Sequence, residues 1–324
     1  MGNNAVEVEK LQELAESGDK LAQTLLGAIC AKGIGGKKDY DSALKWYRMA
    51  ADNGDPVAQF NIGMMYYNGE GVIQDYREAL TWIRMSALRG NSGAQLRLGN
   101  VYFYGRGTEK NLAEAAAWYE MAADNCEEKA QYALAQMLEN GQGVEQDLSE
   151  ALRRYRQAAM QGNVAAQLRA GKMFYEGEGG GKDLVQAHKM FEMAADRGSI
   201  EANRWLANMA LRGEVVSQDF GRAARFFRLA ADYGDLPSQF MLGSLFAKGQ
   251  GVTLDQIQAH AWFNLAAAKG FFLGSLSALK CRDDLAETMT NLQVELAQQL
   301  AKDLQEIVRK NLENLSGTRT GDDT

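Results

Sequence analysis

Few groups in this chain are capable of chemistry, and their spacing limits what they can do. The two histidines, His188 and His260, fall at the same place in a repeating pattern, two repeats apart. Packed helices lie about 8–10 Å apart and metal–nitrogen bonds are about 2 Å long, so the pair cannot share a metal within one chain. Cys30, Cys126 and Cys281 are odd in number and widely separated, which fits a reducing compartment better than a disulfide framework. Ser42/Lys45 and Ser277/Lys280 have the Ser-x-x-Lys spacing of an acyl-transfer nucleophile and its base, without the companion motifs. Gly177-Glu178-Gly179-Gly180-Gly181-Lys182-Asp183 invites a phosphate-loop reading, but no Ser or Thr follows the lysine and no strand precedes it. The expectation is a non-catalytic protein with no cofactor and no metal site.

The elements that would position any site follow a period of 36 residues. Copies begin at Gly18, Gly54, Gly90, Cys126, Gly162, Gly198 and Gly234, and Gly270 opens an eighth that soon diverges. Such a period marks a solenoid of stacked units, none able to bury its apolar face alone. Within repeat two, Asp55 caps a first helix with Pro56 at its first position, and Gly69 ends it in the left-handed conformation. Asp75 and Glu78 form a capping box for a second helix, repeated at Asn111/Glu114 and Asp147/Glu150, and Gly90 stops that helix. Gly-x-Gly-Val between them is a tight loop, so each repeat reads as an αα-hairpin.

Small residues, Ala58, Gly63, Ala79, Ala87 and their copies, recur where helices approach closely. Bulk recurs at Ile62, Met65, Tyr66, Trp82 and Ile83, so each layer pairs a large residue with a small one. The stripes Trp46, Trp82, Trp118, Trp262 and Met49, Met85, Met121, Met193 read as core rather than as a cofactor box.

The pattern A-x-x-x-L-G…G-x-G-V-x-x-D…A-x-x-W-Y-x-x-A-A resembles the Sel1-like repeat, a relative of the tetratricopeptide repeat, over about residues 18–269. The resemblance implies an all-α, right-handed αα-superhelix of seven helix pairs. It also implies a protein-interaction scaffold or adaptor, as in bacterial signalling, secretion and host contact, and it implies no chemistry. Some relatives are immunity or antitoxin proteins that occlude a cognate enzyme, which is the alternative role. Pentatricopeptide-type RNA readers also stack helix pairs, but a net charge of −7 and a pI near 5.1 give no basic footprint for nucleic acid.

The expected organisation is an N-terminal capping helix at 1–17, then repeats at 18–53, 54–89, 90–125, 126–161, 162–197, 198–233 and 234–269. Capping helices at 270–315 and a disordered tail at 316–324 follow. The unbroken period argues for one elongated body rather than two ordinary domains. No apolar h-region, cleavage signature or run of about 20 apolar residues is visible, so the default location is cytoplasmic, a removed signal peptide being the alternative. Cys126-Glu127 departs from the usual Gly-Asp/Asn turn, and Val215-Val216 replaces Gly-Val in repeat six, where a stiffer, partly buried loop is expected. Phe271, Phe272, Leu273, Leu276 and Leu279 begin an apolar helix. Leu292, Leu296, Leu300, Leu304 and Val308 form one stripe on a longer helix, read as a terminal cap, with a dimer seam as the alternative and a monomer favoured.

The remaining signal is a surface. At about 100° per residue, the fourth, eighth, eleventh and fifteenth positions of each repeat share one face of the first helix. They vary freely inside the strict frame: Asn61, Met64 and Asn68; Arg97, Asn100 and Tyr104; Gln136 and Asn140; Arg169 and Lys172; Trp205, Asn208 and Arg212. In tetratricopeptide-like superhelices the first helices line the concave groove. The arginines and lysine make this strip basic, the asparagines suit peptide backbone and Trp205 suits an anchor, so the expected partner is a peptide segment bearing acidic groups or a C-terminal carboxylate along repeats three to six.

Overall fold

In the computed structural model the backbone is described for residues 2–268 and 273–318, and side chains for 9–268 and 276–315. Gly270, Phe271, Phe272 and residues 319–324, on which some of the expectations above fall, lie outside the described residues. Those described form seventeen helices and no strand, an all-α helical-repeat solenoid, in two compact units divided between Asn163 and Val164.

The first unit opens with α1 (Gly2–Glu16). Helix pairs follow: α2 (Lys20–Lys32) with α3 (Tyr40–Asp52), α4 (Pro56–Asn68) with α5 (Tyr76–Leu88), α6 (Ser92–Tyr104) with α7 (Leu112–Asp124), and α8 (Glu128–Asn140) with α9 (Leu148–Gln161). The second unit holds α10 (Val164–Glu176) with α11 (Leu184–Ala195), α12 (Ile200–Arg212) with α13 (Phe220–Ala231), and α14 (Leu236–Lys248) with α15 (Gln256–Ala267). It closes with α16 (Leu273–Ala286) and α17 (Asn291–Thr318).

Each pair closes on a contact between a small and a large residue. A Cβ on Gly63 would stand 2.6 Å from Ile83 Cγ1, and Gly27, Gly99, Gly171 and Gly243 meet Tyr47, Tyr119, Phe191 and Phe263 in the same way. Core alanines stack beside these pairs with Trp118 and Trp262 buried among them. The methionine stripe is only partly core: Met121 is 43% exposed, at the rim of its helix.

Half of the expected capping box forms. Asp75 accepts from the backbone N–H of Glu78, as Asn111 does from Glu114 and Asp147 from Glu150. The reciprocal bond is replaced, because the cap's own N–H donates across the hairpin to the first helix: Asp75 to Tyr66 O, Asn111 to Tyr102 O and Asp147 to Leu138 O. Glu78 is thereby released to accept from Trp82 Nε1 at 2.9 Å.

The loops fit the preceding repeat. A Cβ on Gly71 would stand 2.4 Å from Tyr40 Cβ, and one on Gly251 would stand 2.2 Å from the Phe220 carbonyl carbon. Val215 adopts φ 73° at this position and is 42% exposed, so the repeat-six loop carries left-handed backbone on a β-branched residue. Cys126, also left-handed at φ 61°, is exposed, and Glu127 beside it makes no side-chain cap bond.

On α17 the buried face runs through Ala297, Ala301 and Leu304, with Leu300 and Val308 against the last repeats. Leu292 and Leu296, expected in the same stripe, are 65% and 50% exposed, because a four-residue step drifts off the face that a 3.6-residue helix presents.

Candidate functional site

A side chain missed from sequence sets the frame of the first helices. The sixth position of each repeat is glutamine, or Asn203 in repeat six, and it is buried. Gln59, Gln95 and Gln131 donate through Nε2 to the carbonyls of Ala51, Ala87 and Ala123, at the end of the preceding second helix. Their Oε1 atoms accept from Arg89, Asn125 and Gln161, at the end of their own repeat's second helix. Each of these glutamines therefore ties a carbonyl at one helix end, which also accepts a backbone N–H, to a side chain at the next. Gln23 and Gln239 make the same backbone bond to Ala15 and Ala231. Asn203, one methylene shorter, bonds within its own helix to Ser199 O. A polar residue recurring in an apolar register was the available signal.

In the first unit, Arg97 lays its guanidinium 4.3 Å from the centre of the Tyr67 ring. Its Nε is buried without a hydrogen-bond partner. Among the described residues no carboxylate pairs with it. Tyr67 in turn meets Tyr76 edge-on at 5.1 Å. Asn100 is committed internally, its Oδ1 accepting from the Tyr119 hydroxyl at 2.7 Å, and burial pushes that phenol's pKa up. Met64 is half-buried against the cluster around Ile83 and Leu98. Asn68 is exposed and Asn61 half-exposed. Tyr104 is 61% exposed with Arg106 over its ring at 5.3 Å. Gln136 donates to the Tyr132 hydroxyl and Asn140 to Gln136 O, so both are occupied along their own helix.

In the second unit the expected basic strip is compensated. Arg169 pairs with Glu178 at 2.6 Å and Lys172 with Glu201 at 2.8 Å. Arg212 donates to the Tyr175 hydroxyl at 2.7 Å, which donates to Glu214 at 2.9 Å. Burial works against the Glu201 carboxylate, yet Lys172 and Arg204 hold it below its ordinary range. Burial first, then Glu214, pushes the Tyr175 phenol up. Asn208 donates to Arg204 O. Trp205, expected as an anchor, stacks on Phe191 at 5.3 Å and meets Tyr175 edge-on at 5.1 Å, so its ring is spent on packing.

Arg97 on Tyr67 and Trp205 on Tyr175 are one recurring contact: the eighth position of a repeat covers the fourteenth position of the repeat before it. The eighth position is therefore held against the first helix of the preceding repeat while staying only half-buried in both Arg97 and Trp205.

Ser42 and His188 have structural partners. Ser42 Oγ donates to Asp39 at 2.7 Å within a helix cap. His188 Nδ1 lies 3.3 Å from Glu192, and Arg222 reaches the same carboxylate. Among the described residues no group of three or more His, Cys, Asp or Glu could hold a metal, and no helix is long and apolar enough to cross a membrane.

The family model of the Sel1 repeat matches residues 20–55, 56–91, 92–125, 128–163, 164–199, 200–235 and 236–271. The chain is 33% identical to a Sel1 repeat protein from Oxalobacter formigenes, covering 84% of this chain and 79% of that one with a TM-score of 0.58. It is 26% identical to a protective antigen of uropathogenic Escherichia coli strains that displays an SLR fold, covering 96% and 81% respectively, also with a TM-score of 0.58. No curated protein matches the chain.

Proposed function

The chain belongs to the Sel1 repeat family, and from that membership we propose that it is a non-catalytic adaptor whose first helices in repeats two and three hold a partner protein's acidic segment. Proteins of this family are generally protein-interaction scaffolds. The observation that carries the finer reading is Arg97: a half-buried guanidinium fixed on the Tyr67 ring, with a buried Nε lacking any partner and no carboxylate beside it. An arginine so placed is pre-organised to receive a side-chain or terminal carboxylate with little loss of its own freedom. Asn61, Asn68 and Tyr104, on the same two first helices, offer groups able to bond peptide backbone or cover an apolar side chain. Arg169, Lys172 and Arg212 already have acidic or phenolic partners and contribute less.

Affinity capture from native lysate with mass spectrometry supplies the partner, and its affinity for variants supplies the test. Arg97→Gln, shown folded by circular dichroism, is expected to weaken binding at least tenfold, and Arg169→Gln markedly less. Equal affinity of Arg97→Gln and the unmodified chain, with loss of binding on Met121→Glu in a second helix, overturns the assignment.

A further inference from the structure

Beyond the first-helix face, the second unit holds a cavity of roughly 750 Å³ between α15, α16, α17 and the start of α14. Its walls mix apolar side chains, Leu265, Val294 and Val308 among them, with the polar groups of Gln239, His260, Asn264, Arg282, Asp283 and Lys302. The histidine is the informative member. Its position in the repeat is Leu44, Leu80, Ala116, Leu152 and Ala224 elsewhere, apart from His188. His188 finds an acid at Glu192, whereas His260 is 3% exposed and its Nδ1 has no hydrogen-bond partner.

We propose that this cavity is a binding site for a small monocarboxylate carrying a short apolar chain. A neutral imidazole offers one N–H donor, and burial, with Arg282 nearby, keeps His260 below its ordinary pKa while Asp283 opposes this. Arg282 donates to Asn264 Oδ1 at 3.2 Å, which leaves the amide N–H groups of Asn264 as further donors in the cavity wall. Asp283 matches the charge of Arg282 at 2.6 Å, so Lys302 supplies the uncompensated positive charge. Donors and a positive charge select an anion, the apolar walls select its chain, and the volume suits a small molecule. A buried polar atom without a partner, standing where five of the other six repeats place leucine or alanine, is expected of a ligand site rather than of a core.

The test is a titration of the isotope-labelled full chain with hexanoate, hexan-1-ol and hexylammonium, followed through the ring signals of its two histidines and the backbone amides of α15–α17. The expected result is that hexanoate shifts the His260 ring and these amides, binds at least tenfold tighter than hexanol, and that hexylammonium does not bind. His260→Leu, which restores the residue of repeats one, two and four, is expected to remain folded and lose the preference for hexanoate over hexanol, and Lys302→Gln to weaken hexanoate alone. Equal binding of hexanoate and hexanol shows an apolar void, preference for hexylammonium shows the opposite charge selection, and no shift with any probe shows a water-filled cavity. Each overturns the proposal, as does an unchanged preference in a folded His260→Leu. None bears on Arg97, which lies in the other unit.

Discussion

Gly63 occupies a place where even one added carbon meets Ile83 Cγ1 at 2.6 Å and Ala79 O at 3.1 Å. Gly63→Leu is therefore expected to destabilise by about 1–3 kcal/mol through overpacking, read as a lowered thermal midpoint by circular dichroism; an unchanged midpoint would show that the helices do not touch there. Val215 presents the opposite situation. Left-handed backbone costs a β-branched residue about 1–2 kcal/mol, and glycine gives back about 0.5–1 kcal/mol as chain entropy. Val215→Gly should accordingly stabilise by up to about 1 kcal/mol in urea unfolding, while Gly71→Val, facing Tyr40 Cβ at 2.4 Å, should destabilise. His260 gives a pH signature of definite sign. Burial first and Arg282 second lower its pKa from the ordinary histidine value of 6.5, with Asp283 on α16 opposing and Lys302 on α17 lining the same cavity. Above that value the folded and unfolded chains are both neutral here. As the pH falls below it, the unfolded chain takes up a proton first and stability declines until the folded pKa is passed. His260→Leu should remove that part of the acid sensitivity, measured as urea midpoints at about pH 8 and about pH 5.5.

At the scale of the element, stacking rests on the glutamine that joins successive helix ends as much as on apolar contact. Gln95→Leu removes one of the bonds to Ala87 O, which keeps the Gly90 N–H, and leaves Asn125 Nδ2 without its partner, and is expected to destabilise by about 1–3 kcal/mol. A double-mutant cycle with Asn125→Ala should show coupling, and strict additivity would mean the bridge contributes nothing. Helix caps, hairpins and the pairing of small with large residues were legible in the sequence, because each depends on neighbours at fixed separation within one repeat. The first-helix surface was legible only in outline. A helical wheel describes one helix alone, so it placed Arg97 and Trp205 on an open face. Tyr67 and Tyr175, one repeat earlier, cover that position in three dimensions. The carboxylates that neutralise Arg169, Lys172 and Arg212 lie on loops or the next helix, where no periodicity announces them.

For the molecule at large, a unit in which each repeat touches its neighbours, as repeats one to four do, should tolerate loss of one repeat. Deletion of residues 90–125 joins Arg89 to Cys126 in register, and the product is expected to remain soluble and helical. Loss of its helical circular dichroism would show that stability is not shared between neighbours.

The glutamine bridges have a mechanical consequence. Each reaches only to the adjoining helix ends, so a chain drawn from one terminus would meet one short-range barrier at a time. Pulling within the first unit should then give a staircase in extension rather than a single rupture. Each step would release one repeat of 36 residues, about 120–130 Å of extended chain. Gln95→Leu would lower the force of one step and leave its length unchanged.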